Sequence, residues 1–247
     1  MTANRMKLLL RKIRVVLTPR PWILKTRLSN GAIVCGQNRP GHGGRGIYVF
    51  RDSLEPELEQ LEKLLSPGGV FVDIGGNTGI FTVKAAQFFR TNGGGTVITY
   101  EPLPEMLAEL NHNVYLNGFE NVRLRSFCLG AQPGTTDFWI NFNRFASSGL
   151  IHRDPQATRR SVLVLRLDDV FPLESLNRLD YVKIDVEGAE AQVLAGAVAT
   201  LKKFRPIIQF EVGIQDSRLE LQDYTAYQSP GGPNKICLPN ESPNSPQ

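Results

Sequence analysis

From residue 70 onward, short apolar runs alternate with stretches whose apolar positions recur at helical spacing. Residues 70–74 (Val-Phe-Val-Asp-Ile) form one such run between two glycine pairs, the pattern of a strand buried on both faces. A helix is predicted over 78–89, a strand over 96–100, a helix over 104–116 and a strand over 122–127. The rhythm resumes with a strand over 181–184, one helix over 190–204 and a strand over 206–212. Strands separated by helices imply right-handed crossovers between parallel neighbours. The predicted fold class is therefore α/β, with a doubly wound, mostly parallel sheet.

The interval 130–170 interrupts this order. Two β-like runs, 135–142 and 161–167, flank the polar loop 143–160, so a β excursion beside the ligand crevice is expected. Upstream, residues 32–50 predict short strands around a glycine-rich turn, and residues 54–65 a helix with Ser53 as its N-cap. Residues 6–17, wound as a helix, carry an apolar stripe at Leu9, Ile13, Val16 and Leu17. The end of the chain is rich in Pro, Gly, Asn and Ser, with one short strand expected at 235–238. These patterns divide the chain into an extension over 1–30, one α/β domain over 31–228 and a tail over 229–247.

Charge sharpens the division. The 247-residue chain has a net charge of +4. Residues 1–27 hold eight Lys and Arg and no acid, which leaves the body mildly acidic. That body argues against a nucleic-acid partner. For the basic arm, a helix packed on the domain with a solvated face is the preferred reading. The alternative is a peripheral contact of residues 1–27 with anionic lipid or an acidic partner. Cys35, Cys128 and Cys237 lie far apart with no CxxC pair, which fits a reducing, cytoplasmic compartment.

The strand at 70–74 opens into Asp73-Ile-Gly-Gly-Asn-Thr-Gly79, at the end of an open sheet where ligands bind. A dinucleotide fingerprint counted from Gly75 fails at Asn77 and Ile80, and no Gly-Lys-Ser/Thr follows for a phosphate loop. A carboxylate ending a buried strand, as Asp73 does, must be bonded or paired. Glu101 ends the next strand, where a carboxylate can accept from the two vicinal hydroxyls of a ribose. Helix amides from Thr78 onward would face a carboxylate of the ligand. This combination points to S-adenosylmethionine, held by Asp73, Gly75, Asn77, Gly79 and Glu101.

A second junction, 180–190, crowds Lys183, Asp185, Glu187 and Glu190. Alternation puts Lys183 and Asp185 on one face, where an ion pair is expected. Asp185, across the crevice from Asp73, is the leading candidate for a general base, in a crowd of carboxylates that raises at least one pKa. Glu187 and His152 are the other catalytic candidates, whereas Glu190 is read as favouring a helix N-terminus. Asp168, Asp169 or Glu211 could join Asp185 in an oxygen-ligand cluster for Mg²⁺, but such acids are common at loop starts and no metal is expected. Trp139 and Phe142 either wall an acceptor pocket or pack in the core. His112 reads as a surface residue and His42 as part of a glycine turn.

Six segments together carry a family resemblance: residues 73–79, Tyr100-Glu-Pro102, Asn113-Val-Tyr-Leu-Asn117, Leu167-Asp-Asp169, Lys183-Ile-Asp-Val-Glu-Gly-Ala-Glu190 and Glu211. Over roughly residues 45–213 the chain resembles the FkbM family of S-adenosylmethionine-dependent methyltransferases. One departure is Gly76, where that family usually has Ala, and it is expected to be harmless. The resemblance implies a class I, Rossmann-like methyltransferase fold. It also implies methyl transfer to a hydroxyl of a sugar, glycan or polyketide-type natural product. Two alternatives are weighed against it. An RNA methyltransferase using the basic arm is opposed by the acidic body and by the lack of an (Asp/Asn)-Pro-Pro-aromatic run. A non-catalytic cofactor-binding module is opposed by the intact loop.

Overall fold

The apolar run at 70–74 becomes the middle strand of a seven-stranded sheet and is buried along its whole length. A computed structural model describes residues 3–20, 22–38, 43–142, 148–151, 154–211, 221, 223–229 and 234–241. The chain opens with α1 (Ala3–Leu17), a hairpin of β1 (Ile23–Arg27) and β2 (Ile33–Gln37), then α2 (Gly43–Phe50) and α3 (Pro56–Leu64). The first half of the sheet follows as β3 (Val70–Ile74), α4 (Ile80–Thr91), β4 (Thr96–Tyr100), α5 (Pro104–Asn117) and β5 (Val122–Arg125). The excursion holds β6 (Cys128–Leu129), β7 (Gly134–Ile140) and β8 (Thr158–Leu165), paired in the order β6-β8-β7. Then come α6 (Leu167–Val170), β9 (Tyr181–Ile184), α7 (Glu190–Ala195), α8 (Val198–Phe204), β10 (Ile207–Glu211), β11 (Tyr224–Gln228) and β12 (Asn234–Pro239).

The sheet order is β11-β12-β10-β9-β3-β4-β5; β12 runs antiparallel to both of its neighbours, and every other neighbouring pair is parallel. From β3 the chain winds outward to β5, and from β9 it winds the other way, so β3 and β9 meet at the switch point. Their register sets Asp73 opposite Lys183 and Ile74 opposite Ile184. Alternation then splits the core. Phe71, Val97, Tyr181 and Ile207 pack under α3, α4 and α5. Val72, Ile98, Val182 and Ile208 pack under α6, α7 and α8.

Two asparagines fix the amino-terminal hairpin to this frame. Asn113 and Asn117 are four residues apart on α5, hence on one face of the helix. The Asn113 amide accepts from Cys35 N at 2.7 Å and donates to the Cys35 and Thr78 carbonyls at 2.9 Å. Asn117 does the same for Ile33, accepting at 2.8 Å and donating at 2.7 Å. Two side chains thus act as a strand neighbour for β2.

Several expectations are corrected. Residues 43–50 form a helix rather than a strand and turn. Gly44 is there because α2 crosses β2 at Gly36, where a Cβ on either residue would strike the other backbone. The single helix expected over 190–204 is two helices, because Gly196 presses on the Gly130 backbone and Asp168 caps α8 through Ala199 N and Thr200 N. Ser53 does not cap α3; the N-cap is Glu55, and the Ser53 hydroxyl donates to Glu59 at 2.7 Å. β11 was not foreseen, and α1 packs through Leu8 and Val15 rather than through its expected stripe.

Asn113→Ala leaves three buried backbone groups without a partner and is expected to destabilise the chain by about 2–4 kcal/mol. The urea midpoint, at unchanged slope, measures it. A loss below about 1 kcal/mol would show that β2 is held by packing alone.

Candidate active site

A cleft of about 1000 Å³ opens at the carboxyl ends of β3, β4, β9 and β10. One wall is the turn between β3 and α4. Gly75 (φ +82°) and Gly79 (φ +85°) adopt the left-handed conformation that favours glycine, with Asn77 (φ +50°) between them. A Cβ at Gly75 would fall on the Asp185 carbonyl, so the close approach made here is to the facing β9 turn. Gly76 also proves to be a requirement. A Cβ there would collide with the Thr99 methyl and with Leu110, so this chain could not simply take Ala at 76.

Glu101 stands on the cleft wall with only 6% of its surface exposed. Its Oε2 accepts from Asn77 N at 2.8 Å and its Oε1 from Leu103 N at 2.9 Å. Each oxygen keeps a second lone pair, so two amides hold a carboxylate with two open acceptor positions. Burial pushes its pKa up to about 7, against the pull of the Leu103 and Asn77 amides. Nearby, Asn77 Oδ1 is buried and makes no hydrogen bond among the described residues.

Asp73 lies beneath this loop and outside the cleft lining. Its Oδ2 accepts from the Thr82 hydroxyl at 2.7 Å, and its Oδ1 is 3.5 Å from Lys183 Nζ. Lys183, 4% exposed, reaches on to Asp185 Oδ2 at 3.1 Å and lies 4.9 Å over the Phe81 ring. Burial alone would lower the Lys183 pKa. Asp185, Asp73 and Glu55 outweigh it and hold the ammonium above the usual lysine range. One buried cation therefore joins the Asp73 carboxylate to that of Asp185.

The wall beyond β9 and β10 is acidic. Asp185, Glu187 and Glu211 offer oxygens within 4.8 Å of one another, close enough to share a divalent cation, with the Lys183 ammonium already against Asp185. Glu55 and Glu57 reach the same cleft from the start of α3. Burial pushes the Glu55 pKa up to about 7, with Lys183 pulling it down and Asp185, Glu57 and Asp73 pushing it up. Glu57 is 1% exposed, and neither of its oxygens is bonded among the described residues. The apolar walls include Phe81, Met106, Phe127 and Phe138, and Cys128 lies among them. Burial pushes the Cys128 thiol up to about 12, with Glu101 adding to the shift.

The structure brings Gly75, Asn77, Glu101, Asp185 and Glu187 to one cleft, and sets Asp73 and Gly79 behind its wall. His152 lies outside the described residues, as does His42. Asp168 caps α8 and Asp169 pairs with Arg166, so neither joins the carboxylates of the cleft. Glu190 accepts from Val186 N and Gly188 N and serves its own turn. Trp139 and Phe142 are absent from the cleft lining. Alternation along β7 turns Phe138 inward instead, a signal already present in the period-2 pattern. Glu55 and Glu57 had no comparable signal, because only tertiary packing carries α3 to the cleft.

Residues 73–225 match the model of the methyltransferase FkbM domain. The 2-O-methyltransferase NoeI of Sinorhizobium fredii (strain NBRC 101917 / NGR234) is 26% identical over 193 residues, covering 72% of this chain and 77% of that protein. Methyltransferase 1 of Beauveria bassiana (strain ARSEF 2860) is 27% identical over 144 residues, covering 51% of this chain and 57% of that protein. Among solved structures, the methyltransferase FkbM from Methylobacillus flagellatus KT superposes with a TM-score of 0.50 at 15% identity. That match covers 78% of this chain and 53% of the other, so the chain spans about half the length of that structure, and the likeness is one of fold.

The raised Glu101 pKa has a signed consequence. Its ordinary value is 4.5 and its folded value about 7, so the folded chain holds this proton more tightly than the unfolded one. The resulting stability is complete below about 4.5 and is lost as pH rises towards 7. Thermal melts of the ligand-free chain should show this decline, and Glu101→Gln should flatten it, leaving the share that Glu55 contributes. An identical pH slope in wild type and variant would contradict the assignment.

Proposed function

This chain belongs to the FkbM methyltransferase family, and we propose that it moves the methyl group of S-adenosylmethionine to a hydroxyl oxygen of a small-molecule or glycan acceptor. The observation that carries this reading is the pair of carboxylates on one cleft: Glu101 beyond β4 and Asp185 beyond β9. The cleft residues suit the cofactor. Glu101 presents two fixed acceptor positions to vicinal ribose hydroxyls, Asn77 Oδ1 is an unbonded acceptor beside it, and the first-turn amides of α4 lack helical partners.

When bound, S-adenosylmethionine supplies an electrophilic methyl on sulfur. The chain's own residues do the rest. Glu101 and the glycine turn orient the donor, and the Gly75–Asp185 contact fixes the distance between donor and acceptor sides. Lys183 holds Asp185 by Oδ2, which leaves Oδ1 to accept the proton of the acceptor hydroxyl. Phe81, Met106, Phe127 and Phe138 exclude water from the transfer.

The acidic wall of Glu55, Glu57, Asp185, Glu187 and Glu211 would repel a polyanion, which favours a neutral, hydroxyl-bearing acceptor over RNA. The printed name of the NoeI relative, a 2-O-methyltransferase, supports oxygen as the acceptor atom. All three cysteines are buried free thiols, in keeping with a cytoplasmic setting.

Two substitutions test the roles. Glu101→Ala should weaken S-adenosylmethionine binding by about 10- to 100-fold in calorimetry, the loss of charged hydrogen bonds; unchanged affinity removes Glu101 from the ribose site. Asp185→Asn should lower turnover about 10²- to 10⁴-fold with donor affinity nearly intact. If EDTA instead abolishes wild-type turnover and Mg²⁺ restores it, Asp185 acts with Glu187 and Glu211 as a metal ligand and not as the base.

A further inference from the structure

Helix α1 has two apolar sides, and the domain covers one of them. Leu8 and Val15 pack on Leu24 and Val49, Arg11 donates to the Val49 carbonyl at 2.8 Å, and buried Asn38 donates to the Val15 carbonyl at 2.8 Å. Met6, Leu9, Leu10, Ile13, Val16 and Leu17 are exposed, Leu10 at 58%, Val16 at 82% and Leu17 at 75%. At about 100° per residue these six side chains form one unbroken arc of about 120°. Arg5 and Lys12 border that arc on one side, and Lys7 and Arg14 on the other. The next exposed apolar side chains along the chain are Trp22 and Ile23.

An apolar arc edged on both sides by cations, with no acid in residues 1–27, matches the plane of an anionic bilayer: apolar side chains reach the acyl boundary while the flanking cations meet headgroups. No described helix is long and apolar enough to cross a membrane. We propose that α1 docks this protein on an anionic membrane surface, lying in the interface on its Met6–Leu17 face. Lys12, Val15 and Val16 also line the cleft, so the docked face adjoins the cleft mouth and turns it towards the lipid. An acceptor carried on a lipid would then meet the site without leaving the membrane.

The test is co-sedimentation of the full chain with vesicles, in the absence of cofactor, so that its outcome is independent of the methyl-transfer reading. The vesicles are neutral phosphatidylcholine, or the same lipid with about one-third phosphatidylglycerol, the anionic surface the cations require. The expected result is partition onto anionic vesicles only, falling at least tenfold when ionic strength is raised about tenfold. Leu10→Ser/Ile13→Ser/Leu17→Ser should abolish it, and Arg5→Gln/Lys7→Gln/Arg14→Gln should weaken it at least tenfold, each with an unchanged melting temperature. Two results overturn the proposal. One is no partition of the intact chain. The other is sedimentation as a dimer that the triple Ser variant converts to monomer, which makes the arc a subunit interface.

Discussion

Gly75 and the Asp185 carbonyl approach so closely that no side chain fits between the two turns. That contact closes the switch point of the sheet, and the rest of the site is arranged around it. Below it, Lys183 bridges Asp73 and Asp185 while buried under Phe81. A buried ammonium is tolerated only when paired, and removing it would strand Asp73 at a cost of about 3–5 kcal/mol. The same interaction that stabilises the turn therefore sets where the Asp185 carboxylate stands.

Close backbone contact recurs as the means of joining elements. Gly36 meets Gly44 where α2 crosses β2, and Gly196 meets Gly130 where α7 reaches the excursion. Thr99 fills the space that a side chain at Gly76 would have used, so loop and strand are matched as a pair. Asn113 and Asn117 supply hydrogen bonds in place of a strand. Lys84 in the core pairs with Asp52 at 2.5 Å, tying the amino-terminal segment to α4.

The sheet was legible because its strands are buried on both faces and read as apolar runs. Val70–Ile74, Thr96–Tyr100 and Tyr181–Ile184 fall where the pattern put them. The positions of Glu101 and Asp185 followed, since both simply end such runs. Glycine misled where its purpose was contact: Gly44 reads as part of a turn, and Gly196 passes unmarked inside a single helix. The α1 stripe was visible as well, but periodicity cannot say which side a helix buries, and Leu8 with Val15 took that place. Glu55 and Glu57 were invisible for a related reason. A helix start has no sequence mark for the cleft it will face.

Cys128 acquires a meaning from the chamber it lines. A thiolate is a far better nucleophile towards carbon than a hydroxyl, and a cleft that holds an electrophilic methyl would expose any ionised thiol in its wall to self-alkylation. Burial pushes this thiol up to about 12, so it stays protonated at neutral pH. The apolar packing that lines the cleft thus also keeps its own sulfur protonated and silent beside any electrophile the cleft admits.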